Sequence, residues 1–338
     1  MRGRIWTTVA GLATVAALVA VPSALAAYTS PQLTVRQAGT TVTIKASLDP
    51  NDDPTASVRI LAPGGTTFTT SQAPGTVLGP VKALVKALDL AGADLPLEGQ
   101  LVVAAPGQVP AAAQAACLQE AVPAATWVMV LNAAGQTLNV PMYLVATPGG
   151  PSPGFLQVCL PPPDVPASNP NRAAFGAKLY SAELTIGGVF SAVPVGAWIS
   201  LWTPYVPTAG LPNVPGTVAA PAAIAPGAVT VAAKSSGAGA IVSGRVTQAG
   251  QPRGGVTVAI FGGTTKTGLK RLGSTKVNAA GAYTFKAKKG TFFRARAVAG
   301  PASAAPLCAA LAAQLGGLPC VNPTVNGFTV DSKVVKKR

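Results

Sequence analysis

The amino-acid sequence predicts an all-β protein built from two antiparallel β-sandwich domains with short helical insertions. Short runs of alternating or β-branched residues recur along the chain, and turn residues separate them. The 37 Gly and 32 Pro are scattered without a period, which excludes a collagen-like fibre and indicates many tight turns. Charged residues make up 10% of the chain, too few for a coiled coil, and a length of 338 residues suggests two domains.

Residues 1–26 have the pattern of a cleavable signal peptide. Arg2 and Arg4 precede an uncharged apolar run, and Ala24 and Ala26 stand where a signal peptidase requires small side chains. An uncleaved membrane anchor is the alternative, but the apolar run is shorter than the roughly 20 residues that a membrane span needs. We therefore expect cleavage after Ala26 or Ala27, and an extracellular protein, secreted or held at the cell surface, without a membrane span.

Residues 27–206 are predicted to form the first β-sandwich domain. Its strands are expected at 41–46, 57–61, 81–88, 97–104, 127–131, 138–147, 155–160, 177–186 and 197–203. The turn 132–136 contains Gly135 and indicates a β-hairpin between two of these strands. A short helix carrying Cys117 is expected at 110–118, because proline suits the first position of a helix.

Residues 207–227 are rich in Pro, Gly and Ala and are predicted to be the interdomain linker, or an extended edge segment that leads into it. The second β-sandwich domain is expected at 228–338, with strands at 231–234, 240–246, 256–261, 272–277, 282–287, 291–298 and 328–336. The turn 278–281 is predicted to close a hairpin between the strands on either side of it. A short helix rich in Ala and Leu is expected at 306–315.

The four cysteines are predicted to form two structural disulfides, since an even number of cysteines in an exported chain favours pairing. Three pairings are possible. We expect Cys117–Cys159 and Cys308–Cys320, because each pair then stays within one predicted domain. A metal site is the alternative, but it requires closely spaced Cys pairs or His ligands, and the sequence has neither.

Several short motifs of the second domain follow one another in a characteristic order: Val-Ser-Gly-Arg-Val at 242–246, Gly-Gln-Pro-Arg-Gly-Gly-Val-Thr-Val at 250–258, Asn-Ala-Ala-Gly-Ala-Tyr-Thr-Phe at 278–285 and Gly-Thr-Phe-Phe-Arg-Ala at 290–295. This order resembles the carboxypeptidase regulatory-like domain, a transthyretin-like sandwich, over roughly residues 239–299. Asn278 stands where that family usually has Asp. The resemblance implies a non-catalytic structural or binding module of an exported or surface protein. The first domain, expected as an immunoglobulin-like or transthyretin-like sandwich, resembles no particular family.

The sequence contains no histidine, so it lacks the commonest general base and the commonest metal ligand. The Ser-His-Asp and Cys-His arrangements are therefore excluded, and we expect neither an enzyme nor a bound cofactor. Asp89, Asp94, Glu98 and Glu183 could in principle pair for glycoside hydrolysis, but acidic residues are few and lie mostly in turns. The acidic turn 49–53 could bind calcium, although such a composition is also that of an ordinary turn.

Charge is distributed unevenly along the chain. Residues 28–227 hold seven Lys and Arg against nine acids, whereas residues 228–338 hold sixteen against the single acid Asp331. Lys286 and Lys288 are two residues apart, and so are Arg294 and Arg296. Side chains two apart on a strand share a face, so each of these two pairs is expected to point to one side of its sheet. The basic residues expected to bind a polyanion are Lys270, Arg271, Lys286, Lys288, Arg294 and Arg296. The alternative is a solvated face that maintains solubility.

Four aromatic residues also allow two interpretations. Trp127, Trp198, Trp202 and Tyr205 could form a carbohydrate platform, but such residues on sandwich strands usually belong to the core. The expected function is therefore that of a secreted or cell-surface, non-catalytic structural or adhesive protein. The alternative is a module that binds an anionic cell-wall polymer or polysaccharide through its basic domain. Nucleic acid is not an expected partner, since few aromatic residues interleave with the charges. The oligomeric state stays open.

Overall fold

The computed structural model describes residues 28–133, 135–191, 193, 196–248, 250–303, 307–321 and 323–338. The predicted signal peptide, residues 1–26, lies outside the described residues. Strands dominate the described chain and the helices are short, so the prediction of an all-β protein with short helical insertions is confirmed.

The described residues form two groups of strands and three α-helices. The first group is β1 (Gln32–Ala38), β2 (Thr41–Ser47), β3 (Thr55–Leu61), β4 (Val77–Ala87), β5 (Ala93–Val103), β6 (Ala125–Ala133), β7 (Gln136–Ala146), β8 (Gly154–Cys159), β9 (Ala177–Ile186), β10 (Gly196–Pro204) and β11 (Val218–Ile224). The second group is β12 (Gly227–Val229), β13 (Ala232–Ser236), β14 (Gly239–Gln248), β15 (Gln251–Pro252), β16 (Thr257–Gly263), β17 (Lys270–Lys276), β18 (Ala282–Ala287), β19 (Phe292–Ala299), β20 (Ala302–Ser303), β21 (Thr324–Val325), β22 (Phe328–Asp331) and β23 (Val335–Lys336). The helices are α1 (Ala111–Leu118), α2 (Leu307–Ala310) and α3 (Ala312–Leu315).

The first eleven strands belong to one continuous sheet, in the order β1-β2-β9-β4-β5-β6-β7-β8-β3-β10-β11. Alternate side chains of these strands face the same interior and form one apolar cluster, from Leu33 of β1 to Ala222 of β11. The first strand lies against β10 and β11, so the sheet rolls around this cluster rather than lying open. We call this part the rolled sheet.

Both expected disulfides are confirmed. Cys117 of α1 is bonded to Cys159 of β8, and Cys308 of α2 is bonded to Cys320. Two disulfides indicate a protein that matures in an oxidising environment. The predicted hairpin of β6 and β7 is also confirmed, with Ala133 paired with Gln136 at its end.

Apart from β20 and β21, the second group of strands is arranged in two sheets around a second apolar cluster. One sheet has β14 at its centre, with β12 and β13 on one side and β15 and β18 on the other. The other sheet has the order β17-β16-β19-β22, with β23 also paired to β19. Val242 and Tyr283 of the first sheet and Ile260 and Phe293 of the second belong to the same buried cluster.

The predicted hairpin at 278–281 is wrong in its pairing. The turn itself exists, since the Gly281 amide donates to the Asn278 carbonyl at 3.0 Å and Gly281 has a φ of 75°. However, β17 before the turn pairs with β16, whereas β18 after it pairs with β14 in the other sheet. The turn therefore carries the chain from one sheet to the other. The helix expected at 306–315 is divided at Leu311 into α2 and α3, and residue 306 lies outside the described residues.

The segment expected as a linker contains a buried strand of the rolled sheet. Strand β11 pairs with β10 over its whole length, and its alanines Ala219, Ala220 and Ala222 are fully buried. Its Pro and Ala composition is that of a linker, but small side chains also allow close packing against neighbours on both faces. The exposed, linker-like part of the expected segment is therefore shorter than the sequence indicated.

A segment of the second half of the chain completes the rolled sheet. The described residues of the range 302–325, which include the Cys308–Cys320 disulfide, return from β19 and place β21 parallel to β11. Leu311 and Leu315 pack on Ile199 and Ala219, on the outer side of β10 and β11. We call residues 302–326 the docked segment. It joins the two parts of the molecule through both backbone pairing and an apolar cluster.

Candidate polyanion-binding face

The structure places the predicted basic residues on both sheets of the second strand group. Arg294 and Arg296 lie on β19, in one sheet, and their neighbours Phe293 and Ala295 are buried, so the two arginines share the outer face as expected. Lys286 is exposed on β18, in the other sheet, and Lys288 is exposed directly after that strand. Since the buried cluster lies between the sheets, the two pairs point to opposite sides. The sequence could not separate them because it does not show which strands pair.

The outer face of the sheet β17-β16-β19-β22 carries a compact group of cations. The register places Arg271 of β17 opposite Phe261 of β16, and Phe261 opposite Arg294 of β19. Lys276 lies further along β17, opposite Thr257. We call Arg271, Lys276, Arg294 and Arg296, together with Phe261, the basic sheet face. Arg271 and Lys276 are exposed, so their charged groups are open to a large ligand.

Phe261 organises the two arginines of β19. The Arg294 guanidinium carbon lies 5.0 Å from the centre of the Phe261 ring, and that of Arg296 lies 5.6 Å from it. Contacts of this kind attract a cation to the ring face and restrict the long arginine side chains. The arginines are thus held ready for a ligand at a reduced loss of side-chain entropy.

Asp331 of β22 is the acidic residue at this face. It accepts two hydrogen bonds from Arg296, from Nε at 2.9 Å and from Nη2 at 2.8 Å, and lies 3.8 Å from Nε of Arg294. The hydrogen bonds from Arg296 and the nearby Arg294 charge hold the pKa of the Asp331 carboxyl below its ordinary value of 3.8. Asp331 therefore neutralises part of the face at neutral pH and limits its attraction for anions.

The remaining predicted cations lie elsewhere. Lys270 is exposed at the first position of β17, next to Arg271. The opposite sheet carries Lys286 with exposed Lys234 and Arg245 on β13 and β14, so it presents a second set of positive charges. That set has no aromatic residue comparable to Phe261 in contact with an arginine among the described residues.

The aromatic residues considered for a carbohydrate platform belong to the core, as expected. Trp127, Trp198, Trp202 and Tyr205 are all buried, with at most 6% of the residue exposed. Trp127, Trp198 and Trp202 lie inside the rolled sheet and Tyr205 follows β10. None of the four is open to a sugar ring.

The carboxylates considered for glycoside chemistry each lie beside a cation. Asp89 is paired with Arg172 at 2.6 Å, Asp94 with Lys86 at 2.7 Å, and Glu98 with Lys82 at 3.2 Å. Glu183 stands opposite Lys82 in the register of β4 and β9. Hydrogen bonds from Arg172 and Lys86 lower the pKa values of Asp89 and Asp94, whereas a general acid requires a raised pKa.

The acidic turn 49–53 uses its carboxylates for local hydrogen bonds. Asp49 accepts from the Asn51 amide at 2.8 Å, and Asp52 accepts from both the amide and the hydroxyl of Thr29. Within the described ranges, no group of three or more acidic or cysteine residues has a metal-binding arrangement. In the same part of the chain, no helix is long and apolar enough to cross a membrane.

Comparisons with known proteins add little to this description. No family model matches the chain, and no curated protein matches it. Among solved structures, the chain is similar to dimeric latent PorU from Porphyromonas gingivalis, at 11% sequence identity and a TM-score of 0.18. The match covers 90% of this chain and 32% of the PorU chain, so this chain spans about a third of that structure's length. A likeness at this TM-score supports no conclusion about fold or function.

Proposed function

We propose that the protein is an exported, non-catalytic structural component of the cell surface. The observation that carries this proposal is the docked segment, which contributes a disulfide-closed portion of the second half of the chain to the rolled sheet. A protein whose two halves share a sheet is suited to act as a fixed spacer. The signal-peptide pattern supports export. Tyr28, just after the expected cleavage point, is already part of the fold, since it is buried against Trp202 and donates to Thr55.

The division of the chain that fits this role is a signal peptide at 1–26, a first domain at 27–206, a connecting segment at 207–227 and a second domain at 228–338. The connecting segment adds strand β11 to the rolled sheet of the first domain. We infer that the second domain is a transthyretin-like sandwich of the carboxypeptidase regulatory-like type. The two antiparallel sheets around one apolar cluster support this assignment, as does the buried Tyr283 in the motif at 278–285. The docked segment is then an addition to that fold.

Intact mass spectrometry of the protein from its producing cells tests export and maturation. The expected mature chain begins at Ala27 or Tyr28 and contains no free thiol before reduction. A chain that keeps residues 1–26, or that carries free thiols, would contradict the proposal.

A second function is favoured by the basic sheet face: binding of an anionic cell-wall polymer or polysaccharide. Arg294 and Arg296 lie over the Phe261 ring, Arg271 and Lys276 lie on the neighbouring strand of the same sheet, and Asp331 is the acid beside the two arginines of β19. A cluster of positive charges raises the local concentration of a polyanion and speeds its association with the protein. Among the described residues, the exposed Arg271 and Lys276 have no ion-pair partner, so they can contact a ligand directly. Arg294 and Arg296 are held in place by the ring.

Paired charge reversals test this binding. The double variant Arg271→Glu and Lys276→Glu should lose most of its retention on immobilised dextran sulfate at low salt, because two attractions become repulsions. The matched control, Lys234→Glu with Lys286→Glu, makes the same change of charge on the opposite sheet and should be retained more strongly than the test variant. Equal losses in the two variants would indicate attraction by net charge alone and would contradict a specific face.

A further inference from the structure

The interior of the rolled sheet is filled unevenly along its length. At one end lie Val102 of β5 and Ile186 of β9, and there the core contains Trp127, Trp198 and Phe190. The rings of Phe190 and Trp198 pack edge to face at 5.3 Å. We call this the aromatic end. Large rings in these positions fill the space between the opposing walls of the sheet.

Towards the other end, the wall is lined by small residues. The register places Ala46 of β2, Ala182 of β9 and Ala83 of β4 side by side across three neighbouring strands. All three border a cavity of about 270 Å³ inside the rolled sheet. The cavity exists because a methyl group reaches much less far into the interior than the leucines and methionines of the facing strands. We call this the alanine end.

Most of the remaining lining of the cavity is apolar. Val58, Val85, Leu97, Met129, Leu131 and Leu156 contribute to it, from strands on several sides of the rolled sheet. Protein interiors rarely contain voids much larger than a water molecule, because the lining atoms of a void lose dispersion contacts. An engineered apolar cavity of about 150 Å³ stays dry and binds benzene, and this cavity is considerably larger.

The cavity reaches the surface at the alanine end. Its border includes the exposed Asn139 and the half-buried Lys178, together with Pro161 and Ala174 of the segment that covers this end. Arg172 lies in this covering segment and forms a bidentate ion pair with Asp89, which directly follows β4. The ion pair holds the segment in place. A small molecule therefore has a route from solvent into the apolar interior.

The charges around this opening are predominantly negative. The Lys178 ammonium donates to the Pro50 carbonyl at 3.0 Å, and burial lowers the pKa of this lysine. The acids whose charges act on Lys178 are Asp49, Asp52, Asp53 and Asp164. Arg172 also lies near Asp164 and is paired with Asp89, so the rim holds two cations and five carboxylates. This acidic rim repels a ligand with an anionic head group.

We propose that the cavity binds a small, uncharged apolar molecule, such as a hydrocarbon chain that ends in a hydroxyl or another neutral polar group. The apolar part occupies the space beside Ala46, Ala83 and Ala182, and the neutral end lies at the rim near Lys178. This site is separate from the basic sheet face, which lies on the other group of strands, so neither proposal depends on the other.

Fluorescence titration of the full chain with the neutral dye N-phenyl-naphthylamine tests the site. The wild-type protein should bind the dye saturably. The variants Ala83→Leu and Ala182→Leu should bind it at least about tenfold more weakly, since the added side chain occupies the ligand's volume, and cavity filling should maintain or raise the melting temperature. The matched control Ala112→Leu, on the exposed surface of α1, should bind like the wild type.

Competition and thermal stability complete the test. Decanol should displace the dye more effectively than decanoate and should raise the wild-type melting temperature, because a ligand that binds the folded state stabilises it. This thermal shift does not depend on how the variants fold. Absence of saturable dye binding by the wild type, or undiminished binding by both filled variants, would overturn the proposal. Displacement by decanoate as effective as that by decanol would overturn the requirement for an uncharged ligand.

Discussion

Asn326 joins three parts of the molecule through its own hydrogen bonds. Its side-chain oxygen accepts from the Val35 amide of β1 at 3.1 Å, its amide donates to the Ala223 carbonyl of β11, and its carbonyl accepts from Gln248 of β14 at 2.7 Å. Nearby, the Thr324 hydroxyl donates to the Leu33 carbonyl at 2.6 Å. Side chains of the docked segment therefore supply partners for the backbone where β1 meets β11.

The variant Asn326→Ala should reduce the free energy of unfolding by about 1–3 kcal/mol, because it leaves the buried Val35 amide without its acceptor. Chemical denaturation of the purified protein measures this difference. The control Asn171→Ala removes the same group from an exposed position and should change stability by less than about 0.5 kcal/mol. Equal stability of the two variants would show that the hydrogen bond from the Val35 amide to Asn326 does not stabilise the fold.

Asp331 should control the strength of anion binding at the basic sheet face. The variant Asp331→Asn removes the carboxylate that accepts two hydrogen bonds from Arg296, so dextran sulfate should retain it to a higher salt concentration than the wild type. The exposed ion pair contributes little to folding, so the loss of stability should stay below about 1 kcal/mol. Unchanged or weaker retention would show that Asp331 does not restrain this face.

The same residue gives the face a predictable pH dependence. The folded-state pKa of Asp331 lies below its ordinary value of 3.8, so its ion pairs persist above that pH and are lost as the pH falls through the folded-state pKa. Sulfate esters remain ionised there. Retention of the wild type on dextran sulfate should therefore rise below pH 3.8 towards that of Asp331→Asn. An equally steep rise in both proteins would assign the effect to other carboxyls.

At the scale of the elements, we expect the folding of the docked segment to depend on the Cys308–Cys320 disulfide. The double variant Cys308→Ser and Cys320→Ser opens a loop with a sequence separation of 12 and should cost about 3 kcal/mol by the loop-entropy estimate. Limited proteolysis should then cut the docked segment while the rest of the rolled sheet stays protected. The control Cys117→Ser with Cys159→Ser removes the other disulfide and should leave the docked segment protected. Resistance of the segment in the first variant would contradict its dependence on the disulfide.

The sequence was sufficient to locate most strands, because alternation of apolar and polar residues reflects a sheet with one buried face. It also located α1, the hairpin of β6 and β7 and both disulfides. All of these depend on residues that are close in the chain or on a simple choice between pairings. The strand expected at 81–88 belongs to β4 as far as Ala87, and Val81, Ala83 and Val85 alternate inwards.

The predictions that were wrong or incomplete concern strands and side chains that meet although they are distant in the chain. The motif at 278–281 marks a sharp turn, but local composition does not determine whether the flanking strands pair with each other or with strands already present. For the same reason, Lys286 and Arg294 were grouped although they lie on different sheets. Phe261 and Asp331 were missed as parts of the basic sheet face, since the cross-strand register alone brings them beside the arginines.

At the scale of the whole molecule, acidic and basic residues are segregated along the chain. The rolled sheet holds nearly all acids, and the second group of strands holds most cations, while the docked segment between them contains no charged residue. The docked segment therefore forms an uncharged, largely apolar contact between the acidic rolled sheet and the strongly basic second group of strands.

Fractionation of the producing cells, with detection of the protein in each fraction, tests the central claim of export to the cell surface most directly. The account predicts the mature chain in the envelope fraction, released by raising the salt concentration, because attraction at the basic face is screened by salt. Recovery from the medium alone would contradict retention at the surface. An unprocessed chain in the cytosol or the membrane would contradict export itself.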